Sequence, residues 1–182
     1  MGPRLTILGL AELENAMANP DPGRPISGIV SIWSRATRAS QQLAIDHYLQ
    51  LFARRLPGVP VLALKMEDLS APRKGLTAPT PAHMRAILSF ARRAIAEGPA
   101  DPHLLLHCRL GVSRSAAGAL AILAQANPGA SSRDLIAHLL SLRPGARPNP
   151  LMVRIADEIL GRTDSLLQEI PRRGGQSRSV ND

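Results

Sequence analysis

The residues best able to do chemistry stand together at His107-Cys108-Arg109-Leu110-Gly111-Val112-Ser113-Arg114-Ser115. Cys108 is the only cysteine, and Arg114 follows it six residues later. In a chain this rich in arginine that spacing alone says little. The context says more. Leu104-Leu105-Leu106 reads as the centre of a strand buried on both faces, Gly111 sits mid-loop, and the run from Arg114 to Ala126 reads as a helix apolar all round. A short loop between such elements can turn the N–H groups of Arg109, Leu110, Gly111, Val112 and Ser113 inward, making an anion nest at a helix N-terminus. A phosphate in that nest would be held by backbone donors, by the helix dipole and by the planar guanidinium of Arg114, with Cys108 beneath it. The same field favours a thiolate, moving the thiol from about 8.5 into the roughly 3.5–7.5 range of activated cysteines. A sulfur nucleophile facing a bound phosphoryl group implies covalent catalysis through a phosphocysteine.

These residues need a scaffold, and hydropathy patterning supplies one. Leu5–Leu8, Ile26–Trp33, Val59–Met66 and His103–His107 read as strands. Between them lie helical patterns over Leu10–Met17, Ser40–Leu56 and the stretch from Pro81 to Gly98, the last with Thr80 as N-cap. After the helix from Arg114, Ser132 is placed to cap a helix through Leu142, and Asn149-Pro150 to start another running past Leu160. Asn19-Pro-Asp-Pro-Gly-Arg-Pro breaks the chain, and no repeat is visible. Strands alternating with helices predict an α/β fold, a largely parallel central sheet of four to five strands flanked by helices. Ligands of such sheets bind outside the carboxyl ends of the strands, where His107 leads into Cys108.

The chain has 182 residues, 45% hydrophobic and 20% charged. That is the composition of one globular domain, expected over residues 1–170, and residues 171–182 read as a disordered tail. Only Trp33, Tyr48, Phe52 and Phe90 are aromatic, which argues against a stacking platform for single-stranded nucleic acid. The net charge is +8, almost all of it arginine, since lysine occurs only at 65 and 74. Scattered arginine pairs do not make a nucleic-acid face, but they suit an anionic substrate. No apolar run is long enough to span a membrane. One cysteine excludes an intramolecular disulfide framework, and His47, His83, His103 and His138 lack metal-ligand spacing, so neither metal nor cofactor is expected. Met1-Gly2 formally fits an acylation pattern, with Pro3 a poor context for it, and no secretion signal is seen. A cytoplasmic location is expected.

His-Cys-x-x-Gly-x-Ser-Arg-Ser resembles the signature of the cysteine-dependent protein tyrosine phosphatases, in the spelling of the small dual-specificity and bacterial members. The resemblance runs from about Val59 to Leu160 and includes Arg143-Pro-Gly-Ala-Arg147-Pro148-Asn149, similar to the Arg-Pro…Pro-Asn stretch before the last helices of dual-specificity members. It implies a bacterial, metal-independent phosphomonoester hydrolase with Cys108 as nucleophile and Arg114 as phosphate clamp. It also implies that Ser115 eases departure of the thiolate, and that His107 orients the loop and helps to lower the thiol pKa. The family further needs an aspartate as general acid. Asp101 precedes the last strand and so lies at the opposite edge of the sheet, about 17–20 Å away. Asp46 is mid-helix and Asp21 sits in an early turn. Asp68 follows the third strand at its carboxyl end and opens a long loop able to close over a substrate. It is the expected acid, with Glu67 the neighbouring alternative, because no Trp-Pro-Asp sequence marks the position.

Plainer roles exist for several of these residues. Ser113 and Ser115 suit helix N-caps, Asn149 suits the cap of the last helix, Asp68 suits a turn, and Arg109 suits a solvated charge. A rhodanese-like sulfurtransferase also places a cysteine in a strand–loop–helix cradle, and a noncatalytic phosphate-binding module needs only the nest. The expected partner is a phosphorylated protein or a small anionic phosphomonoester, with no specific nucleic acid. The substrate within that range and the oligomeric state are left open by the sequence.

Overall fold

The structure, a computed structural model, describes residues 2–18, 25–35 and 39–171. The elements in chain order are β1 (Arg4–Leu8), α1 (Leu10–Ala18), β2 (Gly28–Trp33), α2 (Ala39–Arg55), β3 (Val61–Lys65), α3 (Pro81–Glu97), β4 (His103–His107), α4 (Arg114–Ala126), α5 (Ser132–Leu142), α6 (Pro150–Leu160) and α7 (Leu166–Glu169). The four strands form one sheet in the order β1-β4-β2-β3, and every pair is parallel. The expected break at Asn19 and nearly all of the expected tail lie outside the described residues.

Strand alternation divides the core. Val30, Ile32, Leu104 and Leu106 belong to the larger apolar cluster, built with α3 to α7. Ile29 and Leu105 point to the other face, against Leu13 and Met17 of α1 and Phe52 of α2. Ser31, Trp33 and His107 share the parity of that second face. Helix α4 is buried from Arg114 to Ala124, as a helix without a polar face must be.

Local signals explain most of the boundaries. Thr80 accepts from the His83 N–H, and Pro81 opens α3. Asn149 accepts from the Met152 N–H ahead of Pro150. Two expectations are corrected. Ser131, not Ser132, caps α5 by accepting from Asp134 N–H, because a cap must precede the first helical residue. Helix α6 ends at Leu160 instead of running on, because Gly161 takes a left-handed φ of 61° and closes it.

Parallel strands deliver their carboxyl ends to one edge. Gly9 leaves β1 there, Ser34 leaves β2, Met66 to Asp68 follow β3, and Cys108 follows β4. Asp101 lies at the far edge, paired with Arg4. Two glycines let the turn after β1 and the loop after β4 touch. Gly111 has φ +68°, and a Cβ there would stand 2.5 Å from Gly9 N and Leu8 C. A Cβ on Gly9 would meet the Leu110 carbonyl at 2.9 Å. Gly58 has a similar φ of +81° with nothing within 4 Å, so it serves as the control. The left-handed conformation alone costs an alanine roughly 1–2 kcal/mol. Gly111→Ala should therefore lower Tm by clearly more than Gly58→Ala, at about 2–4 °C per kcal/mol for a chain of this size. Equal losses by scanning calorimetry would mean that the Gly9–Gly111 contact yields at no cost.

Candidate active site

The loop from Cys108 to Arg114 is held from outside through its carbonyl groups. The Arg109 carbonyl accepts from the Leu10 N–H at 3.1 Å, that of Val112 from Arg147 N–H at 2.8 Å, and that of Ser113 from Asn149 N–H at 3.2 Å. The Leu110 carbonyl lies 3.4 Å from Arg143 Nη2. In a trans peptide the N–H points opposite to the C=O, so carbonyls bound outside turn the following N–H groups inward. These outward carbonyl contacts, which no local pattern reveals, are what a nest over Arg109–Ser113 would need.

Cys108 is 2% exposed, and its Sγ lies 3.1 Å from Ser115 Oγ. Burial by itself pushes the thiol up. The Ser115 hydroxyl and backbone N–H, then the charge of Arg114 and the Gly111 N–H, outweigh that and hold the thiol below its ordinary value. Arg114, 4% exposed, donates from Nη1 to the Met66 carbonyl at 2.8 Å and to Ser34 Oγ at 3.2 Å. Its Nε is buried without a partner, a donor with capacity to spare for an anion. A cavity of about 330 Å³ opens over Cys108 and Arg114, with Ser34, Asp68, Leu69 and Leu76 on its walls and Leu110, 69% exposed, at its lip.

Asp68 is brought to this cavity. Its Oδ1 accepts from Ser113 Oγ at 2.6 Å and from Asn149 Nδ2 at 2.7 Å, and Asn149 Nδ2 also reaches the Leu69 carbonyl at 3.1 Å. Oδ2 has no partner among the described residues. Glu67 borders the same cavity, but its carboxylate accepts from the Arg35 N–H at 3.0 Å, tying down the segment after β2. The loop after β3, which the sequence reading allows to close over a substrate, is held here at both Asp68 and its ends. Besides the Asp68 bonds, Glu67 N–H donates to the Thr77 carbonyl at 2.7 Å and staples its two ends together.

No protein-family model matches the chain. Over 72 residues it is 42% identical to human Protein phosphatase Slingshot homolog 3; this segment is 40% of the chain, which spans about a tenth of the length of that curated relative (10%). Three solved structures superpose over nearly its whole length. PTPMT1 matches with a TM-score of 0.60 at 19% identity, covering 87% of this chain and 90% of that one. Human DUSP28 matches at 0.57 and 23%, covering 88% and 93%. Tk-PTP matches at 0.57 and 21%, covering 87% and 92%. The chain has the dual-specificity and tyrosine phosphatase fold.

Within that fold, Cys108, Arg114 and Asp68 line one cavity, with the exposed Arg109 and Leu110 at its edge, and Ser115 reaches it only through Cys108. Ser113 stands at the N-cap of α4 but makes no capping bond, because its backbone is helical (φ −112°, ψ −74°) and not in the extended conformation of a cap, and its hydroxyl donates to Asp68. Ser115 lies inside the first turn and is no cap. Asn149 does both jobs, capping α6 with Oδ1 and holding Asp68 with Nδ2. His107 departs from expectation in one respect. Burial holds its pKa down to about 4, the Cys108 backbone opposes this, and Arg114 adds to it, so the ring is neutral at pH 7. A neutral ring supplies no charge to acidify the thiol, and Ser115, Arg114 and Gly111 do so instead. Sequence reasoning also missed Glu12. It binds Arg143, 131 residues away, through both oxygens at 2.6 and 2.8 Å and accepts from Gly9 N–H at 2.7 Å, bracing the loop.

Two measurements check this electrostatic reading. Ser115→Ala removes the largest lowering influence, so alkylation of Cys108 by iodoacetamide at neutral pH should slow by up to about tenfold for each pH unit by which the thiol rises. An unchanged rate would mean that the hydroxyl does not hold the thiolate. For His107, the unfolded ring gains its proton near 6.5 and the folded ring only near 4, so the unfolded state binds the extra proton between those values. Its stabilising contribution is full above pH 6.5 and is lost as pH falls toward 4, on the order of 3 kcal/mol. His107→Gln should flatten the dependence of urea-unfolding stability on pH across that window, and an unaltered slope would place the ring in water.

Proposed function

We propose that the chain is a cysteine-dependent phosphomonoester hydrolase acting through a phosphocysteine at Cys108. The observation that carries the reading is a buried thiol with Ser115, Gly111 and Arg114 arranged in favour of its anion, in a cavity whose opposite wall holds the Asp68 carboxyl. In the first step the Cys108 thiolate attacks phosphorus in line and the bond to the leaving oxygen breaks. Asp68 Oδ2 delivers its proton to that oxygen, while Oδ1 stays fixed by Ser113 and Asn149. In the second step Asp68 takes a proton from water, the resulting hydroxide attacks phosphorus, and the P–S bond breaks. The departing thiolate is received by the Ser115 hydroxyl. Arg114 and the inward N–H groups hold the nonbridging oxygens throughout.

The sulfurtransferase alternative has no use for a carboxyl held opposite the thiol, and a binding module has no use for an activated thiolate. The substrate is a phosphorylated protein or a small phosphomonoester. Leu69, Leu76 and Leu110 supply the apolar surface for its leaving group, since no aromatic ring lines the cavity among the described residues. One similar structure, PTPMT1, was solved in complex with PI(5)P, so a panel of phosphotyrosine, phosphoserine and phosphoinositide substrates is the first assay. A redox-sensitive thiolate also suits the reducing cytoplasm, which we propose as the site of action.

Cys108→Ser should still bind vanadate or a phosphopeptide while losing turnover, and hydrolysis by that variant would rule out the covalent route. Asp68→Asn should slow hydrolysis of phenyl phosphate by about 10²–10⁴-fold and that of an activated aryl phosphate far less, because only the basic leaving oxygen needs the proton. Should Glu67→Gln show that leaving-group dependence instead, the acid is Glu67. EDTA should leave activity intact; inhibition reversed by Mg²⁺ or Zn²⁺ would replace the cysteine chemistry with metal chemistry.

A further inference from the structure

A second cavity, of about 480 Å³, adjoins the one over Cys108, and Asp68 and Ser113 line both. Its volume is that of a ligand site. Pro148, Pro150, Leu167 of α7 and Ile170 just after it give it an apolar wall. Arg147 is the only cation among the described residues that line it. The base of that side chain is fixed, because Arg147 N–H donates to the Val112 carbonyl at 2.8 Å and Ala146 and Pro148 on either side are buried. Its guanidinium is exposed and makes no hydrogen bond or ion pair among the described residues. Arg143, four residues earlier, is spoken for by Glu12. The steps at Cys108 use neither this cavity nor this charge.

In the proposed reaction the leaving oxygen faces Asp68 Oδ2, so the leaving group lies against the residue where the two cavities meet. A small phosphomonoester ends there. A phosphorylated side chain does not, since its main chain continues at the mouth with neighbouring residues about 3.8 Å apart at Cα, which brings the next side chains over the second cavity. We propose that this cavity is a subsite for the segment of a phosphoprotein beside the phosphorylated residue: an aliphatic side chain packs against Leu167 and Ile170 between the prolines, and an acidic side chain next to it meets Arg147. A multiply phosphorylated headgroup would need several unpaired cations beyond Arg114, and this wall holds one in an apolar surface. The inference rests on the hydrolase reading for the position of the phosphorylated residue, and it commits the substrate to the protein class.

Heptapeptides centred on phosphotyrosine or phosphoserine, with Leu-Glu, Leu-Lys or Ala-Ala on one side and then on the other, test it. Binding is measured by calorimetry to the Cys108→Ser protein, and turnover with the unaltered protein. On one side Leu-Glu should bind about tenfold more tightly than Ala-Ala, as burial of one aliphatic side chain implies, and should lower KM without raising kcat. It should exceed Leu-Lys by about threefold, the scale of an exposed ion pair. Arg147→Glu should invert the order of Leu-Glu and Leu-Lys, and Leu167→Ala should narrow the gap between Leu-Glu and Ala-Ala. Both variants are scored as the ratio of peptide to phenyl phosphate kcat/KM, so that a general loss cancels; if either fails to fold, the peptide series on the other proteins decides. Equal affinities on both sides, or an order that Arg147→Glu leaves as it was, overturn the proposal. So does a cavity that ignores the peptides while Arg147→Glu weakens binding to vesicles containing a phosphoinositide, which would assign it to a lipid. Turnover without any preference for the flanking residues keeps the hydrolase and removes the subsite. The Leu-Glu preference with its inversion, in a chain that hydrolyses neither peptide nor phenyl phosphate, keeps the subsite and removes the hydrolase.

Discussion

The loop between Cys108 and Arg114 can face an anion because other parts of the chain occupy its carbonyl groups. Leu10, Arg143, Arg147 and Asn149 come from three separate stretches, the start of α1, the end of α5 and the approach to α6, and each takes one or shares in one. Without those donors the loop carbonyls would compete for the centre, and a nest with oxygen pointing inward repels phosphate. Gly9 and Gly111 make the arrangement possible by removing the Cβ atoms that would hold β1's turn off the loop. The nest is therefore a tertiary object, assembled when α1 and the segment from Arg143 to Asn149 close on β4.

The electrostatics follow from that assembly. A thiol buried in an apolar cluster should be inert, and the desolvation it meets here pushes it that way. What reverses the direction is a set of short, fixed donors from the first turn of α4 together with one buried guanidinium. Arg114 in turn is tolerable at 4% exposure because Met66 and Ser34, at the ends of β3 and β2, accept from it. The second cation, Arg143, has its charge met by Glu12, which keeps it outside the cavity as a brace. Arg114 keeps a buried Nε without a partner, whereas both terminal nitrogens of Arg143 are taken by Glu12.

Much of this was legible in the sequence where the physics is local. The apolar triplet of β4, the faceless helix α4, the Thr80-Pro81 and Asn149-Pro150 starts and the placing of Asp68 at the Cys108 edge all follow from side-chain period, cap chemistry and the parallel-sheet rule. The features that were not legible depend on partners far apart in the chain. Nothing near Glu12 announces Arg143, and the four-residue α7 is too short to have a period. Ser113 shows the limit most clearly. Its position suits a cap, but its backbone is helical (φ −112°, ψ −74°) instead of extended, and its hydroxyl donates to Asp68, 45 residues away.

That donation bears on how the proposed acid operates. In a site that closes around its substrate, the carboxyl arrives on a mobile loop and its geometry is set late. Here Asp68 is held before any ligand binds, by Ser113 on the phosphate loop and by Asn149, whose Oδ1 is fixed by capping α6. Two donors therefore share one oxygen, one from the phosphate loop and one from the cap residue of α6, and any movement of the carboxyl would break these two hydrogen bonds. Such a site spends no binding energy on closure, so even a small substrate with few contacts beyond its phosphoryl group finds the machinery in place. In the proposed reaction the surfaces beside the phosphoryl group are the leucines of the cavity and Arg109 at its mouth, which suit a leaving group with an apolar body and anionic surroundings.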